Sequence, residues 1–266
     1  MGQSVVVESQ LRIFNTGFCG ANKLCKISKF NFVNMVGMYH PVTHVIFDMD
    51  GLLLDSETRY DDAHVMVCQK YGKEFTFEAS KAAMGKTPRG TAETIVEVLD
   101  LPITTDQFLE EIEGFYGAVF QKYIEFMPGV ERLVKHFKEN NVPIAIGSNS
   151  KKSNFELKCK HHAKFFQSFH HIVLAGDDPD VKNGKPAPDV YLVAAKRFEE
   201  PPKDMKNVLV FEDSVSGVKA GIEAGAQVVW IPNPTVDIKS APVSATLVLP
   251  SLEKFEPEWF NLPSYK

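Results

Sequence analysis

Two aspartates, separated by one residue, follow an apolar run at residues 42–47. If the chain stays extended there, Asp48 and Asp50 point to the same side, and paired carboxylates are costly unless a cation neutralises them. Mg²⁺ prefers such oxygen ligands, and Gly51 would let the chain turn and bring amide groups to an anion. One carboxylate could attack phosphorus while the other transfers a proton. The pattern predicts magnesium-dependent phosphoryl transfer, although a calcium-like or simple turn loop is equally typical of Asp-x-Asp-Gly alone.

Three later segments place polar residues at the ends of apolar runs, where open α/β sheets bind their ligands. Ser148 could donate a hydroxyl to a phosphate oxygen, and Lys185 could offset the phosphate charge. Glu212 and Asp213 could contribute further metal ligands. Each also has a structural alternative: a helix N-cap for Ser148, a surface cation for Lys185, and first-turn acids for the pair. Their common position at strand ends favours one shared site.

Short apolar runs rich in β-branched residues alternate with segments of helical spacing, which indicates a β-α-β order. The predicted fold class is α/β, with a doubly wound, parallel, Rossmann-like sheet as the core. The predicted strands cover residues 42–47, 142–147, 171–175, 208–211, 226–231 and 245–249.

The long interval after the first strand has helical patterns only, which predicts an inserted all-helical cap at residues 58–126. The core would comprise residues 38–57 and 127–266. Because such a core recognises only phosphate and metal, we expect substrate specificity to lie in the cap. Lys86 and Arg89 could equally be ordinary surface cations. The candidate substrate-binding residues occupy one polar loop: Gly85, Lys86, Thr87 and Arg89.

The composition is that of an ordinary globular protein, with 266 residues, 44% of them hydrophobic, and a net charge of −5. This charge disfavours a nucleic-acid partner, and no apolar stretch approaches the length of a membrane span. Four cysteines without paired spacing fit free thiols in a reducing compartment. We expect a cytoplasmic monomer that acts on a small phosphorylated metabolite. Residues 1–37 are interpreted as a disordered extension or an upstream start, with a mitochondrial targeting segment as the alternative.

The order of these motifs resembles that of the haloacid dehalogenase superfamily. The resemblance extends from about residue 42 to residue 250 and includes Asp-x-Asp-Gly-x-x-x-Asp-Ser at 48–56, Lys-Pro at 185–186 and Glu-Asp-Ser at 212–214. It implies an aspartyl-phosphate intermediate, Mg²⁺ as cofactor, and a cap like that of members acting on small metabolites. The implied roles are Asp48 as nucleophile, Asp50 as general acid and base, Ser148 and Lys185 as phosphate ligands beside Gly51 and Asn149, and Asp48, the Asp50 carbonyl, Asp213 and a supporting Glu212 around Mg²⁺.

A closer resemblance, nearly end to end from residue 41, is to enzymes of that superfamily that hydrolyse pseudouridine 5'-phosphate. It rests on residues 42–55, 84–86, 171–174 and 262–265, and it implies that ester as the substrate. Sugar phosphates and glycerol phosphate are alternative substrates within the same chemistry. A non-catalytic binding protein on the same fold is an alternative from another class.

Two positions depart from the superfamily pattern. Asn149 follows Ser148 where relatives often have a small or hydroxyl residue, which could alter the phosphate loop without removing its donor. Tyr60 stands where the sugar-phosphate mutases keep a cap-hinge histidine. The second departure favours simple hydrolysis over a mutase reaction.

Overall fold

A parallel sheet positions the candidate residues. The computed structural model describes residues 37–83, 86–234, 236, 238 and 241–266. Its strands are β1 His44–Phe47, β2 Ile144–Ser148, β3 His171–Leu174, β4 Val208–Glu212, β5 Gln227–Trp230 and β6 Leu247–Val248. They lie in the order β3-β2-β1-β4-β5-β6, and every neighbouring pair is parallel. The α/β fold class predicted from the sequence is confirmed.

Helices occupy the intervals between the strands. The longest helix of the described residues, at 105–119, begins with a capping box in which the Thr104 and Gln107 side chains each accept a hydrogen bond from the other's backbone amide. Short 3₁₀ helices cover Met205–Asn207, Leu252–Lys254 and Pro257–Phe260. The α-helices are α1 Glu57–Lys70, α2 Phe77–Ala83, α3 Pro88–Val98, α4 Thr105–Val119, α5 Val130–Glu139, α6 Lys152–Cys159, α7 Ala163–Phe166, α8 Asp189–Lys196 and α9 Val215–Glu223.

Both faces of the sheet are covered, which explains why its central strands are apolar throughout rather than alternating. Successive residues of β1 point to opposite faces. Phe47 packs against Phe137 of α5, whereas Ile46 belongs to the apolar cluster that includes Val190 of α8. The sheet is doubly wound, as predicted.

The strand order changes direction at β1. The chain runs from β1 through β2 to β3 on one side and resumes with β4 on the other side of β1. The carboxyl ends of these central strands therefore lie side by side at one end of the sheet, called the sheet edge below, where open α/β sheets bind ligands. Asp48, Ser148 and Glu212 lie at this edge, and all three are buried.

The helices α1 to α4 lie in the long interval after β1. α1 packs against α4, and α3 packs against both α2 and α4. The two connections to this helical segment run side by side, because the Asp55 amide donates to the Glu125 carbonyl at 2.9 Å and the Met127 amide donates to the Leu53 carbonyl at 3.1 Å. The segment therefore enters and leaves the fold close to Asp50.

The described residues all belong to one compact unit. The predicted boundary of a separate cap at residues 58–126 therefore stays a prediction. The predicted N-terminal extension lies outside the described residues, apart from Gly37. In the part of the chain that is described, no helix is both long and apolar enough to cross a membrane.

Candidate active site

Asp48 lies directly after β1, at the centre of the sheet edge. Its backbone amide donates to the Phe211 carbonyl of β4 at 2.9 Å, which continues the sheet pairing and places the side chain near Glu212. Lys185, in the loop between β3 and α8, donates from Nζ to Asp48 Oδ1 and, at 2.7 Å, to Glu212 Oε1. All three side chains are buried. One lysine is therefore shared between two carboxylates.

Glu212 accepts hydrogen bonds at both of its carboxylate oxygens. Oε1 accepts from Lys185 and, at 2.6 Å, from the Tyr191 hydroxyl of α8. Oε2 accepts from the backbone amides of Asp213 and Ser214, each at 3.0 Å, and from the Ser214 hydroxyl at 3.1 Å. With both oxygens engaged, Glu212 orients Lys185 and the backbone that leads into α9.

Asp48, Glu212 and Asp213 form a cluster in which one carboxylate oxygen from each lies within 4.8 Å of the others. Gly51, at φ +78°, turns the chain past this cluster, and a Cβ there would lie 2.3 Å from Asp213 Oδ2. Burial and the negative charges of Glu212 and Asp48 hold the pKa of Asp213 well above its ordinary value. The carboxylate oxygens of this cluster are hard donors, and Lys185 offsets only part of their negative charge. The cluster therefore fits a divalent cation such as Mg²⁺.

The charge balance around Asp48 disfavours its ionised form. Burial raises its pKa, Lys185 opposes this, and the charges of Glu212 and Asp50 add to it, which leaves the pKa at about 8. Burial alone would lower the pKa of Lys185, but the Asp48 and Glu212 carboxylates outweigh it and raise that pKa. In the metal-free protein, the cluster therefore retains a proton that a cation would displace.

Asp50 has a separate set of partners, here called the Asp50 cage: Ser56, Ser150 and Lys158. Lys158 Nζ donates to both Asp50 oxygens, at 2.6 and 2.7 Å. The Ser56 hydroxyl donates to Oδ1 at 2.7 Å, and the Ser150 hydroxyl donates to Oδ2 at 2.8 Å. Burial alone would raise the pKa of Asp50, but Lys158 and the two hydroxyls outweigh it and hold that pKa below its ordinary value. Asp50 is thus an ionised carboxylate with its own cation.

Ser148 and Asn149, at the end of β2, take different positions. Ser148 is buried, and its hydroxyl accepts from the Ser150 amide at 3.1 Å. The Asn149 side chain faces the Lys185 loop, since its Oδ1 accepts from the Lys185 amide at 2.9 Å and its Nδ2 donates to the Lys185 carbonyl at 3.3 Å. Asn149 therefore fixes the Lys185 loop, and its contact with a substrate stays a prediction.

The polar loop that was predicted to give specificity bonds to other parts of the helical segment. Gly85 lies outside the described residues. Within the described chain, the side-chain hydrogen bonds and ion pairs of the other three residues all remain among α2, α3, α4 and their connections. Their role in substrate choice stays a prediction. The contacts are Lys86 Nζ to Thr94 Oγ1 at 2.6 Å, the Gly90 amide to Thr87 Oγ1 at 3.1 Å, and the Arg89 guanidinium to Asp106 at 2.8 Å and to Glu93 at 3.3 Å.

Sequence reasoning missed the residues that surround Asp50, above all Lys158. The sequence carried little signal, because α6 has no distinct apolar face: Phe155 and Cys159 lie on the side of Lys158, but Leu157 does not. Ser56 and Ser150 lie close in sequence to predicted site residues. Serines so often cap helices or turns that neither position carried a separate signal.

Two comparisons of sequence bear on the identity of the chain. A family model described as haloacid dehalogenase-like hydrolase matches residues 42–225. The Drosophila melanogaster protein named "Probable pseudouridine-5'-phosphatase" is 42% identical over 84% of this chain and 96% of its own length. The "(DL)-glycerol-3-phosphatase 2" of Arabidopsis thaliana is 40% identical over 85% of this chain and 93% of its own length.

Solved structures show the same fold. The beta-phosphoglucomutase of Clostridium difficile aligns with a TM-score of 0.64 at 24% sequence identity, covering 82% of this chain and 95% of that chain. Likeness at this identity concerns the fold alone, but the family match and the two relatives go further. The resemblance inferred from the motif order is confirmed, and the chain belongs to the haloacid dehalogenase-like hydrolases.

Proposed function

We propose that the protein is a magnesium-dependent phosphatase that forms an aspartyl-phosphate on Asp48. The placement of Asp48 supports this most directly, since it is buried at the sheet edge in contact with Lys185 and within a cluster of carboxylate oxygens. A cationic side chain and metal ligands are what a transferring phosphoryl group needs around its oxygens. Asp50, two residues further on, supplies a second carboxylate at the same edge.

The proposed reaction consists of two displacements at phosphorus. A carboxylate oxygen of Asp48 attacks phosphorus, the bond between phosphorus and the ester oxygen breaks, and that oxygen takes a proton from the Asp50 carboxyl group. Water then attacks phosphorus, Asp50 takes a proton from the water, and the bond between phosphorus and Asp48 breaks. The negative charge of a bound phosphate raises the pKa of Asp50, which favours the protonated form that the first step needs.

The surrounding residues would stabilise the charge of the phosphoryl group. Lys185 contributes a positive charge, and the Ser148 hydroxyl and the backbone amides near Gly51 can donate hydrogen bonds to phosphate oxygens. When bound, Mg²⁺ supplies further positive charge to those oxygens. The residues that would hold it are Asp48 and Asp213 through their carboxylates and Asp50 through its carbonyl, with Glu212 as a support.

As substrate we propose pseudouridine 5'-phosphate, because the Drosophila relative with that activity in its name is 42% identical over 84% of the chain. Glycerol 3-phosphate is the second candidate, because the Arabidopsis relative named for it is 40% identical. Sugar phosphates are a further alternative. A non-catalytic role is disfavoured because the chain keeps Asp48, Asp50, Lys185 and Asp213 together.

Substrate choice can be tested by measuring phosphate release from pseudouridine 5'-phosphate, glycerol 3-phosphate and hexose phosphates. We expect pseudouridine 5'-phosphate to have the highest kcat/KM. If it ranks no better than glycerol 3-phosphate, the substrate assignment is wrong, while the phosphatase assignment stands.

The chemistry can be tested with Asp48→Asn, which removes the attacking oxyanion and should lower turnover by more than about 10⁴-fold. Removal of Mg²⁺ by a chelator should have a similar effect, and added Mg²⁺ should restore activity. Asp204→Asn is a matched control, because Asp204 is exposed and asparagine caps a helix equally well. Retained turnover in Asp48→Asn would overturn the covalent mechanism.

We also propose that the protein is a cytoplasmic monomer. Cys68 and Cys159 are free and buried, which fits a reducing compartment. Fractionation of cells that express the tagged full chain tests the location, and light scattering of the purified chain tests the monomer. Recovery with mitochondria that depends on residues 1–37 would instead support the targeting alternative.

A further inference from the structure

We propose that Lys158 is a positioning residue for Asp50, a role that rests on the proposed function. Lys158 ends in an ammonium group, yet its side chain is 0% exposed. Lysines are almost never fully buried unless they are paired. Its Nζ lies 2.6 Å from Asp50 Oδ1 and 2.7 Å from Asp50 Oδ2, so one ammonium contacts both oxygens of one carboxylate.

The remaining contacts of Lys158 hold its ammonium in place. Nζ donates to Ser150 Oγ at 2.7 Å and lies 3.3 Å from Tyr60 Oη. It also lies 5.6 Å from the centre of the Tyr60 ring and 5.2 Å from that of the Phe120 ring, distances at which aromatic rings attract cations. Tyr60 belongs to α1 and Phe120 follows α4. The ammonium of Lys158, which belongs to α6, is therefore enclosed by residues of the helical segment.

The Asp50 carboxylate has little freedom within these contacts. Oδ1 accepts from Ser56 and Lys158, and Oδ2 accepts from Ser150 and Lys158. Ser56 occupies the N-cap of α1 without a side-chain capping bond, so its hydroxyl is used for Asp50 instead. Because misplacement of a catalytic group by about 1 Å can cost about 100-fold in rate, fixing this carboxylate has a direct value for proton transfer.

The two buried lysines contact different carboxylates, which makes the role of Lys158 separable. Lys185 contacts Asp48 and Glu212, and Lys158 contacts Asp50. Loss of Lys158 should slow the step in which Asp50 gives a proton to the leaving oxygen. An ester whose leaving group departs without a proton should be spared.

The test compares Lys158→Met with the wild-type full chain on glycerol 3-phosphate and on p-nitrophenyl phosphate. The first ester releases an alkoxide that needs a proton, and the second releases a stable phenolate. The ratio kcat/KM reports the steps up to phosphoryl transfer to Asp48, so the later hydrolysis step does not enter. We expect a fall of about 100-fold or more on glycerol 3-phosphate and of less than about threefold on p-nitrophenyl phosphate.

Further variants separate positioning from folding. Lys160→Met changes an exposed lysine at the end of α6 and should leave both esters unaffected. Lys158→Arg keeps the charge and should restore part of the loss on glycerol 3-phosphate. Because removing one partner of a buried ion pair can destabilise a fold, Ser150→Ala is the second test; it should show the same preference between esters, with about a tenfold loss on glycerol 3-phosphate.

Three outcomes would overturn the proposal. The first is that Lys158→Met and Ser150→Ala each lower kcat/KM equally on the two esters. The second is that neither variant lowers kcat/KM on glycerol 3-phosphate. The third is a further large loss when Lys158→Met is added to Asp50→Asn, since a residue that acts through Asp50 has little left to affect. A wild-type chain that hydrolyses neither of these esters nor pseudouridine 5'-phosphate overturns the proposed function as well, whereas an active wild type with an inactive Asp48→Asn leaves that function intact.

Discussion

Asp48 and Asp50 are the same residue type at the end of the same strand, yet their surroundings are opposite in charge. Asp48 shares Lys185 with Glu212 and lies beside Asp213, so negative charge is in excess. Burial, partly offset by Lys185 and reinforced by Glu212 and Asp50, raises its pKa to about 8. Asp50 has Lys158 and two hydroxyls of its own, which outweigh burial and lower its pKa.

This difference separates two requirements of a phosphoryl-transfer site, a bound metal ion and a positioned carboxylate for proton transfer. The excess charge at Asp48 can be offset by a metal ion, which then also faces the phosphate. The charge at Asp50 is already offset by the protein, so its carboxylate needs no metal and can be held for proton transfer. We call these surroundings the Asp48 pole, with Lys185, Glu212 and Asp213, and the Asp50 pole, with the Asp50 cage.

Among changes to the partners of Asp48 and Asp50, the largest effect is expected from the loss of Lys185 in the Asp48 pole. Lys185→Met removes the cation shared by two buried carboxylates and should lower kcat/KM by about 10³-fold on both glycerol 3-phosphate and p-nitrophenyl phosphate. The two esters should suffer alike, because Lys185 serves the phosphoryl group rather than the leaving oxygen. Steady-state kinetics on both esters checks this, with Lys182→Met, an exposed lysine of the same loop, as control. If Lys185→Met lowers kcat/KM on glycerol 3-phosphate alone, Lys185 and Lys158 do not have different roles.

The next effect concerns pH and metal affinity. Because the pKa of Asp48 is about 8 in the metal-free protein, its carboxyl group is protonated at pH 6 and is about half ionised at pH 8. Mg²⁺ must displace that proton, so its apparent Kd should weaken by about tenfold per pH unit below 8, and by more where Asp213, whose pKa is also raised, must release a proton as well. Titration calorimetry at pH 6, 7 and 8, in buffers of different protonation enthalpy, measures both the affinity and the released proton. An affinity that does not change with pH would contradict this prediction.

A smaller effect tests the turn beside the metal ligands. Gly51→Ala places a Cβ 2.3 Å from Asp213 Oδ2 at a backbone φ of +78°, so Asp213 must move. We expect Mg²⁺ affinity to fall by about tenfold, as it does when groups that orient metal ligands are disturbed. Gly72→Ala is a matched control, because its φ is +68° but nothing lies within 4 Å of the added Cβ. Equal affinity in the two variants would show that the displacement of Asp213 does not weaken Mg²⁺ binding.

The carboxylates of the Asp48 pole could be predicted from the sequence because they stand at strand ends, whereas Lys185 lies in the loop between β3 and α8. The apolar runs fixed the order of elements, and parallel strands bring their carboxyl ends to one edge. Asp48, Glu212 and Asp213 therefore had to lie near one another once the sheet was assigned, and the structure brings them within 4.8 Å.

The Asp50 pole could not be predicted in the same way. Lys158 lies in a helix whose side chains gain their neighbours only when α1 and α4 pack over them, and no strand end marks its position. Burial of a lysine depends on the partners it finds in the folded protein. For the same reason, the sequence could not show that Lys86 and Arg89 pair with Thr94, Glu93 and Asp106 inside the helical segment, and their role in substrate choice stays a prediction.

The smallest effects compare one hydroxyl in each pole. Tyr191→Phe removes the hydrogen bond to Glu212 Oε1 at 2.6 Å, and Ser56→Ala removes the bond to Asp50 Oδ1 at 2.7 Å. Each bond joins a neutral donor to a carboxylate, which is fully buried in Glu212 and 18% exposed in Asp50, so each loss should lower the free energy of unfolding by about 1–3 kcal/mol, measured by denaturant titration. Tyr191→Phe should lower kcat/KM about threefold on both esters, whereas Ser56→Ala should lower it about threefold on glycerol 3-phosphate alone. If both variants affect the two esters equally, Asp48 and Asp50 do not act as separate poles, and one shared network of charge sets the activity of both.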